Sequence, residues 1–498
     1  MMINVTELKR KIIDLAISGK LTKHLPEDGD AQSLLDSIIN KKLALISSGI
    51  LKKDKELKHI EDSEIPFEIP SSWQWTRLGL YAQKVTDQVA SGSFADIRDN
   101  VVSLKEPDYA IMVKTADFAN GFTKNLTYTN KHGYEFLENS NLFGGELILS
   151  NIGSIGKVFI VPKLEKRMTL APNSIMVRLT DNNLIMYLYY FLLSSQGYKE
   201  LDSISTGIAM KKFNKGGLKT ILLPIPPLEE QKRIVAKLDE IFAELDKIDE
   251  KQTRLATIQE KMEAKILKLS IQGKLVEQRP EEGTGEELFK LIQEEKQELI
   301  KQGKIKKEKP LPTIGEDEIP FEIPSTWKWV RLSDICEIPI TDGTHQTPTY
   351  STKDEGVPFI SSKDVTTKVI NWNNIKYITK DLHKELYKRI APQKNDILLA
   401  KNGTTGVAAL VEDDKVFDIY VTLAVLRPTR NLMYPKYLLN VVNSPVCKEQ
   451  FDEHLIGIGL PNLHLNVIKE VMIPLPPFEE QKRIVAKLEE LISLCRSN

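Results

Sequence analysis

The sequence is poor in the residues that mark secreted and metal-binding proteins. Its 498 residues include only three cysteines, Cys336, Cys447 and Cys495, which form neither a CxxC pair nor a metal-ligand cluster. The seven histidines do not cluster, and no HExxH motif occurs. Few and scattered cysteines are typical of a reducing compartment, so we expect a cytoplasmic protein that holds no metal.

Long apolar runs and an excess of one charge are missing too. The longest apolar run, at 184–193, is too short to span a bilayer, and the N-terminus lacks the apolar core of a signal peptide. Because 68 basic residues balance 69 acidic ones, a nucleic-acid-binding function would need local positive patches. The short apolar runs predict a soluble protein without membrane contact. The length predicts two to four domains.

Motifs of the common enzyme classes are absent from the sequence. No NPPY-type methyltransferase motif occurs, and "GSIGKV" has neither the spacing nor the hydroxyl residue of a Walker A loop. Acidic pairs such as Asp413 and Asp414 are typical of surface loops. We therefore expect binding and not catalysis, although a nuclease built from scattered acidic residues stays open.

What the sequence does contain is an internal duplication. "PIPPLEEQKRIVAKLDEI" at 224–241 returns as "PLPPFEEQKRIVAKLEEL" at 474–491, and "EIPFEIPSSWQWTRL" at 64–78 returns as "EIPFEIPSTWKWVRL" at 318–332. The order of the motifs is kept, but the chain begins and ends inside a repeat unit. The repeat is therefore cyclic, and we expect the two chain ends to lie close together and jointly imitate the central segment.

The central segment predicts one long helix. It begins after Pro226 and Pro227, has acidic residues in its first turn, and ends near Gly273. A heptad series with 3,4 spacing runs along it. The series comprises Leu238, Ile241, Leu245, Ile248, Gln252, Leu255, Gln259, Met262, Ile266 and Leu269. We predict an antiparallel coiled coil with the split copy; the alternative is a helix packed on the core of its own domain.

Two globular blocks lie between the repeated frames. Each contains strand-like runs, such as "ELILSN" and "DILLAK", and one clear helix, and each begins with two tryptophans that we expect to anchor it. The predicted fold class is α+β: two globes joined by two long antiparallel coiled-coil helices in a cyclic pseudo-two-fold repeat. The predicted domains are residues 1–62 (half of the split helical region, with a charged linker), 63–224 (first globe), 225–317 (central helical region and linker), 318–474 (second globe) and 475–498 (the other half of the split region).

The repeated frames match closely, whereas the interiors of the two globes barely match. This contrast predicts a scaffold that presents two different reading surfaces.

Together, "PLPPFEEQKRIVAKLEEL", "IPFEIPSTWKWVRL" and "TDGTHQTPTYSTKDEGVPFISSKDV" resemble the specificity subunit of type I restriction–modification systems. The resemblance covers essentially the whole chain.

This resemblance implies a function, partners and cofactors. The globes would be target-recognition domains, each reading one half of a bipartite site in double-stranded DNA. The helical regions would dock two methyltransferase subunits, and two restriction–translocase subunits would join the larger complex. The chain itself would be non-catalytic and bind no cofactor, because S-adenosylmethionine, ATP and Mg would be used by the partner subunits.

Two other function classes remain open. One is a standalone DNA nuclease or methyltransferase with duplicated DNA-binding domains. The other is a coiled-coil adaptor that joins proteins without touching DNA.

The candidate DNA-binding residues lie in loops rich in glycine, hydroxyl and basic side chains, which can approach a groove and offer donors to base edges or phosphates. In the first globe they are Ser91, Ser93, Arg98, Asn151, Ser154, Lys157, Lys211, Lys212, Asn214 and Lys215. In the second globe they are Thr341, Asp342, Gly343, Thr344, His345, Thr347, Tyr350, Lys401, Asn402, Thr404, Thr405, Asn462 and His464. The alternative for each loop is an ordinary surface turn.

Overall fold

The computed structural model describes residues 3–153, 155–207, 210–455 and 462–497. The chain divides into two compact units, of which one reaches to Thr253 and the other begins at Arg254. Each unit combines helices with two four-stranded sheets and one two-stranded sheet. The predicted α+β class and the internal duplication are therefore confirmed.

The described residues of the first unit form ten strands. They are β1 (Gln74–Arg77), β2 (Lys84–Asp87), β3 (Ala110–Val113), β4 (Tyr128–Thr129), β5 (Asn141–Leu142), β6 (Leu147–Ser150), β7 (Val158–Ile160), β8 (Arg167–Leu170), β9 (Ser174–Arg178) and β10 (Leu222–Ile225). Its helices are α1 (Val5–Ile17), α2 (Ala31–Ser47), α3 (Leu78–Tyr81), α4 (Phe94–Asn100), α5 (Lys131–Phe136), α6 (Ile185–Leu193), α7 (Ser195–Ser203) and α8 (Lys215–Thr220). Helix α9 (Leu228–Ile271) begins in this unit and ends in the second.

The second unit also has ten strands in its described residues, but fewer α-helices. Its strands are β11 (Lys328–Arg331), β12 (Thr341–Asp342), β13 (Tyr350–Ser351), β14 (Val357–Ile360), β15 (Lys376–Ile378), β16 (Ile397–Ala400), β17 (Ala408–Leu410), β18 (Asp418–Ile419), β19 (Leu423–Leu426) and β20 (Met472–Leu475). Its helices are α10 (Gly285–Lys301), α11 (Lys380–Arg389), α12 (Pro435–Val442), α13 (Pro445–Glu453), α14 (Leu465–Glu470) and α15 (Phe478–Ser497).

One four-stranded sheet has the same topology in both units. Its strand order is β2-β9-β6-β7 in the first unit and β12-β19-β16-β17 in the second. The turn between β6 and β7 contains Gly153 and Gly156, and the turn between β16 and β17 contains Gly403 and Gly406. All four glycines have φ between 76° and 83°, which side chains with a Cβ rarely adopt. Two glycines with positive φ therefore shape the same turn in both units, within the glycine-rich loops that the sequence predicts.

The helical content of each globe is larger than the sequence predicts. At the place of the one clear helix predicted in each globe, the first globe has α6 followed directly by α7, and the second has α12 followed by α13. Ser194 and Ser444 separate the two helices, because each hydroxyl caps the second one by accepting a backbone N–H bond. The single-helix expectation is therefore wrong at these serines.

Helix α9 follows the predicted limits. It begins directly after the two prolines and ends two residues before Gly273, whose φ is 68° and on which a Cβ would overlap the ring of Pro324. Gly19 ends α1 in the same way against Pro70, with φ of 73°. The stop signal is therefore duplicated together with the helix.

The two parts of the split copy contact different stretches of α9. In the first unit α1 runs antiparallel to it, since Ile3 contacts Gln252 and Lys9 contacts Asp246 at 2.5 Å. In the second unit the backbone carbonyl of Cys495, in α15, accepts a bond from Gln259 at 3.0 Å. The predicted pairing of the split copy with the central helix is confirmed.

The heptad series is not buried along its whole length. Leu238 and Leu245 are buried in the first unit, where Leu238 joins the core of the globe. Leu255 and Met262 are each 47% exposed. The pairing therefore does not bury the whole series, because α9 buries its start against its own globe and leaves apolar side chains on its middle turns exposed.

The repeated tryptophans hold each globe to its helix. The indole N–H of Trp73 donates to buried Glu230, near the start of α9, at 2.9 Å. Trp327 makes the same bond to buried Glu480, near the start of α15, at 3.0 Å. The predicted anchoring role of these tryptophans is confirmed.

Candidate nucleic-acid interface

In the second unit, three loops that are distant in sequence line one cleft of about 510 Å³. They follow β12, follow β16 and precede α14. The lining residues are Asp342, His345, Arg389, Lys401, Asn402, Val421, Asn462, His464, Leu465 and Asn466. Six of these ten were predicted from sequence, so the fold does bring the second-globe candidates together.

Backbone pairing holds two of these loops in place. Asn402 and Asn462 form an antiparallel bridge, and the N–H of Leu463 donates to the carbonyl of Lys401 at 2.8 Å. Leu463 is fully buried, which holds the segment 462–464 directly before α14 in place. The side chains of Asn402 and His464 are therefore presented at the cleft by rigid backbone.

A buried carboxylate lies at the base of the cleft. Asp342 is 2% exposed and accepts bonds from Lys401 at 2.5 Å and from Arg389 at 2.9 Å. The ring of His345 lies 3.2 Å from the same carboxylate. Because Lys401 is also buried, the geometry favours an internal role for Asp342 and Lys401 over the DNA contacts that their loop composition predicted.

The rest of the "TDGTHQTPTY" loop divides into a buried and an exposed part. A Cβ at Gly343 would overlap the carbonyl of Ile419, and Thr344 is 6% exposed, so both serve backbone packing. Thr341 is half-buried, whereas His345 and Thr347 are exposed. The predicted groove approach of this loop is therefore restricted to its second half.

Three further candidates in the second globe lie near the surface. Thr404 is exposed and Thr405 is half-buried in the glycine-bracketed turn after β16. Tyr350 is 48% exposed, and its hydroxyl accepts a bond from Lys376, whose ammonium also lies over the ring.

The first unit builds a matching junction from its own loops. Ile152 bridges Lys212, and the N–H of Phe213 donates to the carbonyl of Asn151 at 3.1 Å. The N–H of Gly153 donates to the carbonyl of Lys211 at 2.9 Å. The 152–212 bridge and the bond from Phe213 to Asn151 lie 250 residues before the 402–462 bridge and the bond from Leu463 to Lys401. The first-globe candidates around 151–157 and 211–215 are thus brought together.

An aspartate that sequence reasoning missed occupies the same sheet position as Asp342. In the first unit, Ile175 pairs with both Asp87 and Leu149; in the second, Ala424 pairs with both Asp342 and Leu399. The ammonium of Lys215 lies 2.8 Å from Asp87. The signal was available, because a Thr-Asp pair ends both β2 and β12. Lys215 therefore has an internal partner.

The other lysines of this junction differ in availability. Lys211 is bonded to Asp202, and this hydrogen bond raises the pKa of the Lys211 ammonium. Lys157 and Lys212 are exposed. Asn214 caps α8, since its side chain accepts the N–H of Gly217 at 2.9 Å. Ser154 lies outside the described residues.

Among the first-globe candidates, two buried side-chain oxygens have no hydrogen-bond partner within the described part of the chain. They are the side-chain oxygen of Asn151 and the hydroxyl of Ser91. Nearby, Ser93 caps α4 through reciprocal bonds with Asp96, and exposed Arg98 pairs with Asp99 at 3.1 Å. Ser93 thus has a structural role, while the side chain of Arg98 stays at the surface.

Within residues 3–153, 155–207, 210–455 and 462–497, no group of three or more His, Cys, Asp and Glu side chains is arranged to hold a metal ion. Across the same ranges, no helix combines the length and apolar character needed to cross a bilayer.

Comparison with known proteins gives one consistent family. The model of the type I restriction modification DNA specificity domain matches twice, at 98–258 and 324–497, which together make up about two thirds of the chain. The specificity subunit of the type I restriction enzyme EcoAI from Escherichia coli is 26% identical over 548 residues, covering 99% of this chain and 89% of that protein. The MjaVIII specificity subunit from Methanocaldococcus jannaschii is 24% identical, covering 86% and 87%.

The fold has a solved counterpart. A chain from a study of complex assembly and conformational transition in the type I R-M system has a TM-score of 0.54 and 18% sequence identity, over 87% of this chain and 93% of that one. This likeness concerns the fold, and it agrees with the two matched units. With both halves matched by the family model, the chain belongs to the type I restriction–modification DNA specificity family.

Proposed function

We propose that this chain is the non-catalytic subunit that gives a type I restriction–modification complex its DNA sequence specificity. Each globe reads one half of a bipartite site in double-stranded DNA. The observation that carries this proposal is the pair of matched loop junctions, 152 with 212 and 402 with 462, built on one sheet topology.

The side chains on these two junctions differ where the backbone does not. Lys212 in the first globe corresponds to Asn462 in the second, and Asn214 corresponds to His464. The two junctions have the same backbone pairing but carry side chains with different hydrogen-bond donors and acceptors. Such a pair of surfaces suits two half-sites of different DNA sequence. The recognition domains are proposed to span 63–224 and 318–474.

The helical regions are proposed to dock two methyltransferase subunits and to set the gap between half-sites. Exposed Leu255, Ile258 and Met262 support docking, because their spacing puts them along one side of α9. Restriction–translocase subunits would join this complex in the cytoplasm. S-adenosylmethionine, ATP and Mg would be used by these partners and not by this chain.

The experiment is to map methylated bases in the source genome with and without this gene. We expect a bipartite motif that disappears on deletion and returns with the gene on a plasmid. A methylome that is unchanged by the deletion contradicts the proposal.

Two measurements separate the alternatives. Turnover of DNA by the purified chain alone, with S-adenosylmethionine or Mg²⁺, would favour the nuclease or methyltransferase. A reconstituted complex without sequence-dependent, salt-dependent DNA binding would favour the adaptor.

A further inference from the structure

Arg389, the last residue of α11, is the one residue lining this cleft that combines a permanent charge, partial exposure and a hydrogen bond to a buried group. Its side chain is 47% exposed, and one terminal nitrogen donates to Asp342 at 2.9 Å. A guanidinium carries five N–H donors in a rigid planar fork. In the described ranges this fork makes no other hydrogen bond to the protein, so donors remain for a ligand.

The surrounding charges leave this cleft positive. Asp342 is the only acid among the ten lining residues, and buried Lys401 lies 2.5 Å from it. One carboxylate therefore faces two permanently charged cations. Of these two cations, Lys401 is buried and Arg389 extends toward solvent. A ligand with hydrogen-bond acceptors is favoured here.

The orientation of Arg389 is set by a group that cannot easily move. Asp342 is held in the β12–β19 pairing and accepts a second bond from Lys401. A buried carboxylate that anchors one terminal nitrogen of a guanidinium is a supporting contact of the kind that precise recognition needs. The neighbouring lining side chains of Asn402, Asn462 and His464 add amide and imidazole groups.

We propose, on the basis of the function proposed above, that Arg389 reads a guanine in the half-site recognised by the second globe. The guanidinium fork matches the O6 and N7 acceptors of guanine in the major groove. A base edge suits this cleft better than a phosphate, because its lysine is turned inward onto Asp342 and amides line the remaining wall. Asp342 is a positioning residue in this arrangement.

The test is methylome mapping in cells that express the complete complex with Arg389→Ala or Arg389→Lys. For Arg389→Ala we expect one guanine of the second half-site to lose at least about ten-fold of its preference over the other bases, with the first half-site unchanged. Arg389→Lys keeps the charge, and we expect it to keep overall methylation while relaxing the same position. Arg430→Ala is the control, since exposed Arg430 does not line the cleft.

The remaining outcomes separate the possible failures. An unchanged motif with uniformly weaker, less salt-dependent binding would identify a phosphate contact and overturn the proposal. A changed first half-site would overturn it as well. If Arg389→Ala fails to assemble, Arg389→Lys decides, and an unrelaxed motif in that variant contradicts guanine reading. A wild-type complex without a bipartite motif would instead contradict the proposed function itself.

Discussion

The indole N–H of Trp73 donates to the buried carboxylate of Glu230 across 157 residues of sequence. Trp327 and Glu480 make the same contact across 153 residues. The tryptophan belongs to one repeated motif and the glutamate to the other, so the two motifs are the two sides of one interface. The tryptophan and the glutamate therefore occur together in both repeats, because burying a carboxylate without a hydrogen-bond donor costs folding free energy.

The first prediction tests this interface. Replacing Trp327 by Phe keeps most of the ring volume but removes one of two side-chain donors to Glu480, the other being Gln278. We expect the free energy of unfolding of the second unit to fall by about 1–3 kcal/mol. Hydrogen exchange of β11 and β20 under native conditions measures it locally.

The sequence offers a matched control two residues away. The indole nitrogen of Trp329 is buried and has no hydrogen-bond partner among the residues that the structure describes, so Trp329→Phe removes an unsatisfied donor. We expect a smaller loss for this variant than for Trp327→Phe. Equal losses would mean that ring packing, and not the bond to Glu480, stabilises the interface.

The second prediction concerns pH. Burial raises the pKa of Glu480 above its ordinary 4.5, so the folded state binds this proton more tightly than the unfolded chain does. The protonated Glu480 side chain therefore contributes to the stability of the folded protein. This contribution is fully present below the pKa that Glu480 has in the unfolded chain, and it is lost as the pH rises through the higher pKa of the folded state. In Glu480→Gln nothing titrates at this position. We therefore expect the melting temperature of the variant, relative to wild type, to rise by a few degrees between pH 4.5 and 7.5.

Differential scanning calorimetry at several pH values checks this expectation. Glu479→Gln is the control, because Glu479 is exposed and pairs with Lys482 at the surface. A difference between Glu480→Gln and wild type that stays constant with pH would contradict the buried titration.

Much of the fold could be predicted from the sequence, and the parts that could not have physical reasons. Proline and glycine punctuation located α9 to within two residues of each end. The glutamines in the heptad series were visible as polar interruptions, but their partners were not. Gln252 bonds to both the N–H and the carbonyl of Ile3, at 2.6 and 3.1 Å. No local pattern encodes a contact across 249 residues.

The candidate interface shows the same limit. Loop composition found Lys401 and Lys215, yet it could not show that each is neutralised by an aspartate at a strand end. Arg389 was missed because it ends an ordinary amphipathic helix, where an arginine is typical of a solvated face. Burial and ion pairing with aspartates determine which basic side chains remain available to contact DNA. Both properties arise only from the tertiary structure.

The third prediction concerns modularity. The frames that bracket the first globe pair with each other, as Trp75 lies opposite Pro224 in the β1–β10 ribbon, and the second globe repeats this with Trp329 and Pro474. Replacing 70–223 by the equivalent segment of another family member should therefore change one half-site only. Exchanging 324–473 should change the other. Methylome mapping of both chimaeras measures the result, and a change in both half-sites from one exchange would contradict independent reading.

The last prediction tests whether α9 sets the gap between half-sites. Ile3, just before α1, contacts Gln252, and α15 contacts Gln259, so four helix-forming residues inserted after Thr253 lie between these two hydrogen bonds and remove neither partner. The insertion adds about 6 Å of rise and turns the helix by about 40° beyond a full turn. Since DNA rises about 3.4 Å and turns about 35° per base pair, both changes favour a gap longer by one or two base pairs. We expect the two half-site sequences to stay the same. Four glycines at the same place are the control, because they break the helix and should abolish a defined gap. Methylation mapping of both insertions decides: an active helical insertion that keeps the original gap would mean that α9 does not determine the spacing.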